Sequence, residues 1–516
     1  MPNRSSDALF QLIKSLEKSE KRNFKLYITR NSGSGDLKSI QLFDAMDRMD
    51  EYDEAQLLNK NKNIRKQQLS NAKAHLYREI LSSLRLIRQE DNVDIQLHEQ
   101  LDYARILYNK GLYLQSLRTL DRIKENARAQ HQLTFLQQVL FFEKTIESLH
   151  ITRSMQDRAD QLATELDAVN EQLRLISQLS NLALQLYSWY IRHGVARNEE
   201  DEAAVEEFFE KNMPSDLTNC QGFYERLYLY QSYCWYAFIR QDFLLYYRYT
   251  QKWVDLFEKE PFMLVIETSQ YIKGMHNLLS AHFDLLNDQK FRETLKLFED
   301  FSESDIVKNN VNNRIQTFVY LYISKLNQHF IDGTFTEGLT LVPYIEDKLK
   351  EYWIYLDRHR ILVFYYKIAC LYFGSGDYGN TVDYLNKIIN WKVDLRTDLQ
   401  CYSRLLHLIA HYELGNVDLL EYLIKSVYRF MAKMQNLSRV EEEIFKFLRK
   451  SFTLSPDQLK PEFGKLVEKL KKYEMNRFET RAFMYLDIIS WLESKIQHVP
   501  VQDVIREKYL TGHRRG

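Results

Sequence analysis

The stretch LDYARILYNKGLYLQSLRTLDRIK (101–124) decides how the rest of the chain is read. Apolar residues step by three and four on both sides of Gly111, which predicts two helices joined by a tight turn. Ala104 is small enough to let the helices approach closely. Tyr113 opens the second helix, and Ser116, Leu120 and Ile123 fall on its packing face. The pattern returns in IACLYFGSGDYGNTVDYLNKII (368–389), where Ala369, Gly376, Tyr378, Thr381, Leu385 and Ile388 stand in matching places. Weaker copies occupy 234–253, 282–301, 329–345 and 409–427. The matching residues after the turn are Tyr113, Phe243, Phe291, Phe335, Tyr378 and Val417, and the last four intervals are 48, 44, 43 and 39 residues. A drifting period of about 40 residues predicts helical hairpins stacked side by side, an α-solenoid. The span from 113 to 243 leaves room for further hairpins with longer helices. Within it, 156–194 reads as one very long helix or two joined by a tight turn.

Composition agrees with helix throughout. The 516 residues contain only 7 Pro and 15 Gly, so helix breakers and turn formers are scarce. The 70 Lys and Arg balance 71 Asp and Glu, so no net field draws the chain to nucleic acid or to a membrane surface. Cys220, Cys234, Cys370 and Cys401 form no C-x-x-C pair and read as small buried hydrophobes in a reducing compartment. The N-terminal residues lack the apolar core of a signal peptide, and no apolar run is long enough to span a bilayer. A cytoplasmic protein with no membrane partner is expected.

The spacing of small residue, turn glycine, aromatic, small residue and apolar residue at 101–124 and 362–389 resembles the tetratricopeptide repeat, a helical hairpin of about 34 residues that stacks into a superhelix. The resemblance implies an all-α, TPR-like solenoid, although the period here is longer and most units lack the repeat's Trp and terminal Pro. The whole chain, with FQLIKSLEKSEKRNFKLYI (10–28) and YFGSGDY (372–378), also resembles a family of long helical proteins from Bacteroidota, which implies a long helical fold.

Three parts are expected: an N-terminal helical domain over 1–90 with a basic helix, a TPR-like solenoid over 91–435, and a helical cap over 436–516. The loop NSGSGD (31–36) is the most flexible-looking point. Ser438 and Glu441 form a capping box ahead of a helix. The prolines in SPDQLKPEFGKL (455–466) are expected to break the chain. A final helix near 478–496, carrying Trp491, closes the solenoid end, and LTGHRRG frays.

Few motifs carry chemistry. Gly374, Gly376 and Gly379 match G-x-G-x-x-G, but they follow a helix where the dinucleotide fingerprint needs a strand, so they read as the turn of the best hairpin. His407 and His411 share a helix face near Cys401, yet position 408 is Leu where a zincin helix carries Glu. NEEDEAAVEEFFE (198–210) reads as a solvated helix start whose carboxylates favour the dipole. No catalytic residue, metal ligand or cofactor is assigned.

Two sets of residues are candidate contacts. The first is basic. NKNKNIRKQQLSNAKAHLYREILSSLRLIR (59–88) carries Lys60, Lys62, Arg65, Lys66, Lys73, Arg78, Arg85 and Arg88 against a single acid, Glu79. On a helical wheel Leu69, Ala72, Leu76, Ile80, Leu84 and Ile87 form one apolar stripe. Arg78 and Arg85 point outward, and Lys66 and Lys73 lie at the stripe's edge. Lys60, Lys62, Arg65, Lys66, Arg78 and Arg85 are the residues that could contact nucleic acid or a partner, with a solvated face as the simpler reading. The second set is aromatic. The 34 Tyr and 29 Phe cluster in helices apolar on nearly every face, as in the middle of a solenoid. Tyr230, Trp235, Trp253, Trp353 and Tyr366 are the candidate anchors for a peptide in a concave groove.

The expected function is a non-catalytic scaffold that binds a protein or peptide in the solenoid. The alternative is a regulator whose N-terminal domain contacts nucleic acid while the solenoid senses a ligand, an arrangement that resembles bacterial peptide-responsive regulators. An enzyme of unknown type is third.

Overall fold

The structure is a computed structural model. It describes residues 7–31, 37–60, 66–87, 92–150, 157–391, 397–434, 437–451, 454–474, 476, 478–479 and 487–511. Among the described residues the chain is all-α, with no strand. Its helices are α1 (Ala8–Ser15), α2 (Lys18–Asn31), α3 (Leu37–Asp47), α4 (Glu54–Lys60), α5 (Lys66–Ile87), α6 (Val93–Asn109), α7 (Tyr113–Ala129), α8 (Leu133–His150), α9 (Arg158–His193), α10 (Glu199–Asn212), α11 (Phe223–Ile239), α12 (Phe243–Lys259), α13 (Met263–Ile266), α14 (Thr268–Asp284), α15 (Asp288–Ser302), α16 (Asp305–Lys308), α17 (Val311–Asp332), α18 (Phe335–Gly338), α19 (Val342–Glu351), α20 (Arg358–Ser375), α21 (Tyr378–Ile389), α22 (Thr397–Glu413), α23 (Val417–Lys433), α24 (Arg439–Ser451), α25 (Pro456–Glu474), α26 (Ile488–Gln497) and α27 (Val501–Thr511). Two compact units divide them, Met1–Asn170 and Glu171–Gly516, and the division falls inside α9. Of the segment read as one long helix or two, Arg158–His193 is a single helix.

In the first unit α1–α5 share a core of their own, in which Leu9, Ile13, Phe24, Phe43, Leu69, Leu76 and Ile80 are buried. The predicted stripe of α5 holds at Leu69, Leu76 and Ile80 and ends before Ile87, which is 36% exposed. The hairpin α6–α7 turns at Gly111 with φ 75°. Ser116 Oγ donates to the Ala104 carbonyl at 2.8 Å, which explains why both positions are small.

The second unit is a stack of hairpins, and its turns share one rule. A residue with left-handed backbone stands two positions before the next helix: Gln241 before α12, Leu286 before α15, Gly333 before α18, Gly376 before α21 and Gly415 before α23. The residue between them often caps the new helix. Asp242, Asn287 and Asp377 accept from the backbone N–H groups of Leu245, Lys290 and Asn380. Glycine adopts this backbone at no steric cost, whereas Gln241 and Leu286 are held there against it. Adjacent hairpins bury each other's apolar faces. Phe257, Phe291, Phe298 and Phe364 are at most 1% exposed, each worth roughly 1.5–3 kcal/mol relative to exposure. Stacking therefore stabilises hairpins that could not stand alone.

The C-terminal region departs from expectation in two ways. Pro456 occupies the first position of α25, where its missing N–H costs nothing, and Pro461 lies inside that helix; the segment expected to break the chain is helical. Ser438 and Glu441 do form the capping box, with the Ser438 N–H donating to Glu441 at 2.5 Å and the Glu441 N–H to Ser438 Oγ at 3.4 Å. The chain then does not simply cover the last hairpin. Trp491 of α26 is fully buried and donates to Glu413 at 2.6 Å, and α27 packs back on earlier hairpins. A Cβ on Gly333 would lie 2.5 Å from the Arg506 nitrogen. Tyr509 bonds Asp288 and Arg292 at 3.0 Å each, and Gln502 accepts from Thr336 at 2.8 Å. Of the expected features, the loop 32–36 and the tail 512–516 lie outside the described residues.

Candidate functional site

A partly open cavity of about 520 Å³ lies inside the second unit. It is built by the first helix of successive hairpins, in one repeating register. Counted back from each left-handed turn residue, positions 13, 10 and 6 are Lys273, His276 and Ser280 on α14; Tyr320, Ile323 and Asn327 on α17; and Val363, Tyr366 and Cys370 on α20. All nine line the cavity, and steps of three and four put each trio on one helix face. Three residues before the turn comes an aromatic: Phe238, Phe283, Phe330 and Phe373, again all on the lining. The long helix α9 adds Tyr187 and Tyr190, and Asp487, Ile489, Val501, Ile505 and Lys508 close the cavity from the C-terminal end.

Cations gather around Tyr320. Lys273 Nζ lies 5.2 Å and Arg360 Cζ 5.6 Å from its ring centroid, and the His276 imidazole stacks on it at 4.3 Å. Lys367, one turn below Val363, donates to Asn327 Oδ1 at 2.5 Å and sits over the Phe330 ring at 5.3 Å. Arg360 has a carboxylate partner in Asp357 at 3.4 Å. Among the described residues neither Lys273 nor Lys367 has one. Asp284 shares the wall with Lys367 but lies beyond ion-pairing distance.

The electrostatics record that enclosure. Burial holds the Lys367 ammonium down to about 8, and the attraction of Cys370 and Asp284 does not restore it. Burial, then the charges of Lys273, Lys367 and Arg360, drives His276 well below its ordinary value, so the imidazole is neutral at pH 7. Burial also raises the Cys370 thiol to about 12, which removes it as a nucleophile at neutral pH.

The other candidate residues fall elsewhere. Tyr366 lines the cavity and is itself buried. Trp235 lies one ring behind the wall, 4.7 Å from Tyr187 and 5.6 Å from Tyr190. Trp253 is 2% exposed and packs on Gly274, Tyr230 lies under Lys252 near Tyr249, and Trp353 stacks on Trp391 at 6.3 Å. In the first unit Arg78 and Lys66 are exposed, and Arg85 pairs with Asp102 at 3.5 Å. Lys73 turns inward to Asp7 and Tyr52. Lys62, Arg65 and the Lys60 side chain lie outside the described residues.

The glycine motif at 374–379 is accounted for by packing. Gly374 lies against the Phe335 ring, where a Cβ would come within 2.2 Å, and Gly376 makes the left-handed turn with φ 86°. His407 and His411 face each other at 3.3 Å between Nε2 atoms, and His411 Nδ1 meets Asn416 at 2.9 Å. Among the described residues no three His, Cys, Asp or Glu side chains form a metal-binding group. Of the acidic run 198–210, Glu202 is buried and bonds Arg240 at 2.9 Å, and Asn198 caps α10. Among the described residues no helix is long and apolar enough to cross a membrane.

Comparison with protein-family models, with curated proteins and with solved structures finds no match.

Proposed function

We propose that the protein is a non-catalytic binding protein, that its second unit is a TPR-like solenoid, and that the inner cavity receives a side chain or chain end of a peptide or protein partner in the cytoplasm. One observation carries this reading. The cavity is lined in register by successive hairpins, and its wall combines rings with a few convergent polar groups, the composition of a binding pocket. Aromatic walls supply contact area at low entropic cost, and the polar groups fix orientation. The test uses Val363→Phe, which narrows the cavity from α20. Wild type and variant are exposed to the same pool of peptides, and retained peptides are identified by mass spectrometry. Peptides retained by the wild type and lost by a variant with unchanged circular dichroism support the reading. Identical retained sets overturn it.

A further inference from the structure

Lys273, Arg360 and Lys367 enter one cavity from two helices, α14 and α20, with α17 between them. Three positive charges line one partly open cavity, and Lys367, the most enclosed of them, gives up hydration there. The fold does little to offset this. Asp357 reaches Arg360, and Asp284 and Asp487 also line the cavity, Asp284 attracting Lys367; the close contacts of Lys273 and Lys367 are with rings and the Asn327 amide oxygen. Hydrophobic residues of similar volume would suit folding as well or better, so a cluster of this kind answers to something that enters the cavity.

We infer that the cavity binds a compact organic anion, its carboxylate or phosphate group seated among Lys273, Arg360 and Lys367 and its apolar body against the rings of Tyr187, Phe238 and Phe330. The inference rests on the binding reading above and gives its ligand a chemistry. The volume suits a small molecule or a single amino-acid side chain with its neighbours, since pockets for such ligands run to roughly 300–1,000 Å³. A polymer strand or folded partner is too large to enter. Arg360 offers a planar fork for two oxygens, and the two ammonium groups add point charges. His276, neutral and stacked on Tyr320, can share a hydrogen bond without adding a fourth charge. A metal cation is disfavoured by the same three charges. Carboxylate and phosphate satisfy this geometry equally, so the experiment separates them.

The full chain is titrated by calorimetry at pH 7 and low salt with phenylacetate, phenylphosphate and the neutral 2-phenylethanol. At least one anionic probe is expected to bind at least tenfold more tightly than the neutral one, and whichever of the two binds better identifies the acidic group. Its affinity should fall at least tenfold in a Lys273→Met/Lys367→Met variant. That variant should remain folded, because it removes unpaired charges, and its circular dichroism and thermal midpoint are recorded alongside. Saturating anion should raise the thermal midpoint of the wild type and leave the variant's unchanged, a readout that a merely structural role would not give. Equal binding of anionic and neutral probes, equal binding by wild type and variant, or no binding of any probe at millimolar concentration overturns the inference. The outcome is separable from the partner test: anion binding with no peptide selected refutes the partner reading and leaves this site standing. Peptides selected without anion preference do the reverse.

Discussion

Lys124 in the first unit is buried and Lys367 in the second is partly buried in a cavity wall, and the protein treats the two lysines differently. Lys124 on α7 is 4% exposed and bonds Glu143 of α8 at 2.6 Å, with Asp121 at 2.9 Å. Arg158 at the start of α9 completes the group, its Nε 2.8 Å from Glu143. Every charge there has an opposite neighbour, and the cluster ties three helices together. Lys367 has an amide oxygen and a ring. The difference teaches that burial of a cation does not by itself mark a site. In the first unit the charges are closed on one another and serve the fold. In the second, Lys273 and Lys367 line a cavity with no carboxylate at ion-pairing distance among the described residues.

This contrast can be broken by substitution. The largest effect is expected at Glu143→Gln, which removes the buried carboxylate shared by Lys124 and Arg158 and leaves them the more exposed Asp121 and Glu165; it should lower unfolding free energy by about 3 kcal/mol, read by urea denaturation. Acid should come next and act on the second unit. Burial holds His282 and His407 down to about 4. The unfolded chain therefore takes up protons near pH 6.5 that the folded chain refuses, and stability falls as pH drops from 6.5 toward 4. Between pH 7 and 4.5 the wild type should lose roughly 2 kcal/mol more than His407→Leu. Lys367→Met should have the opposite sign, stabilising the protein by roughly 1–2 kcal/mol at pH 7. Because the folded ammonium is depressed below its unfolded value, the penalty is full below pH 8 and is relieved as pH rises toward 10, so the variant's advantage should shrink over that window. Smallest are the hairpin turns. Gly111→Ala and Gly376→Ala have open space around the added methyl and a left-handed backbone, so each should cost about 1 kcal/mol. Equal costs in both units would show that the units share their hairpin construction and differ in how their charges are met.

The turns also show what the sequence makes legible. Gly111, Gly333, Gly376 and Gly415 announce hairpins because glycine suits the left-handed position, and those hairpins can be read from residues alone. His131, Gln241 and Leu286 take the same backbone without glycine, so their turns carry no such signal. Matching Phe291 to Tyr378 sets that hairpin three residues out of register, since α15 starts at Asp288. With the register lost, the trios at 273, 276 and 280 and at 320, 323 and 327 do not line up, and the cavity is invisible. One signal could have restored it: an aromatic three residues before six of the turns, at Tyr108, Phe238, Phe283, Phe330, Phe373 and Tyr412, though not before His131, where Arg128 stands. Large aromatics suit a core as well as a groove, as Trp253 shows, so residue type alone does not mark an anchor. The basic helix attracts attention by charge count; there Lys73 turns inward to Asp7, while Arg85 meets Asp102 at 3.5 Å with both side chains largely exposed. Lys273 and Lys367 are unremarkable in a chain of 70 basic residues; what distinguishes them is a place on the cavity wall with no carboxylate at ion-pairing distance among the described residues, which is a property of the fold.

The central claim, that the second unit holds cations in reserve for an anion, is tested most directly at the Lys367 amine. Its protonation can be followed by the carbon-13 shift of its dimethylated form as pH is raised, with Lys367→Met identifying the signal. The account predicts a midpoint near 8 in the free protein and a clear rise when the cavity is saturated with phenylacetate or phenylphosphate. A midpoint near the ordinary lysine value of 10.5, unmoved by either anion, would contradict it.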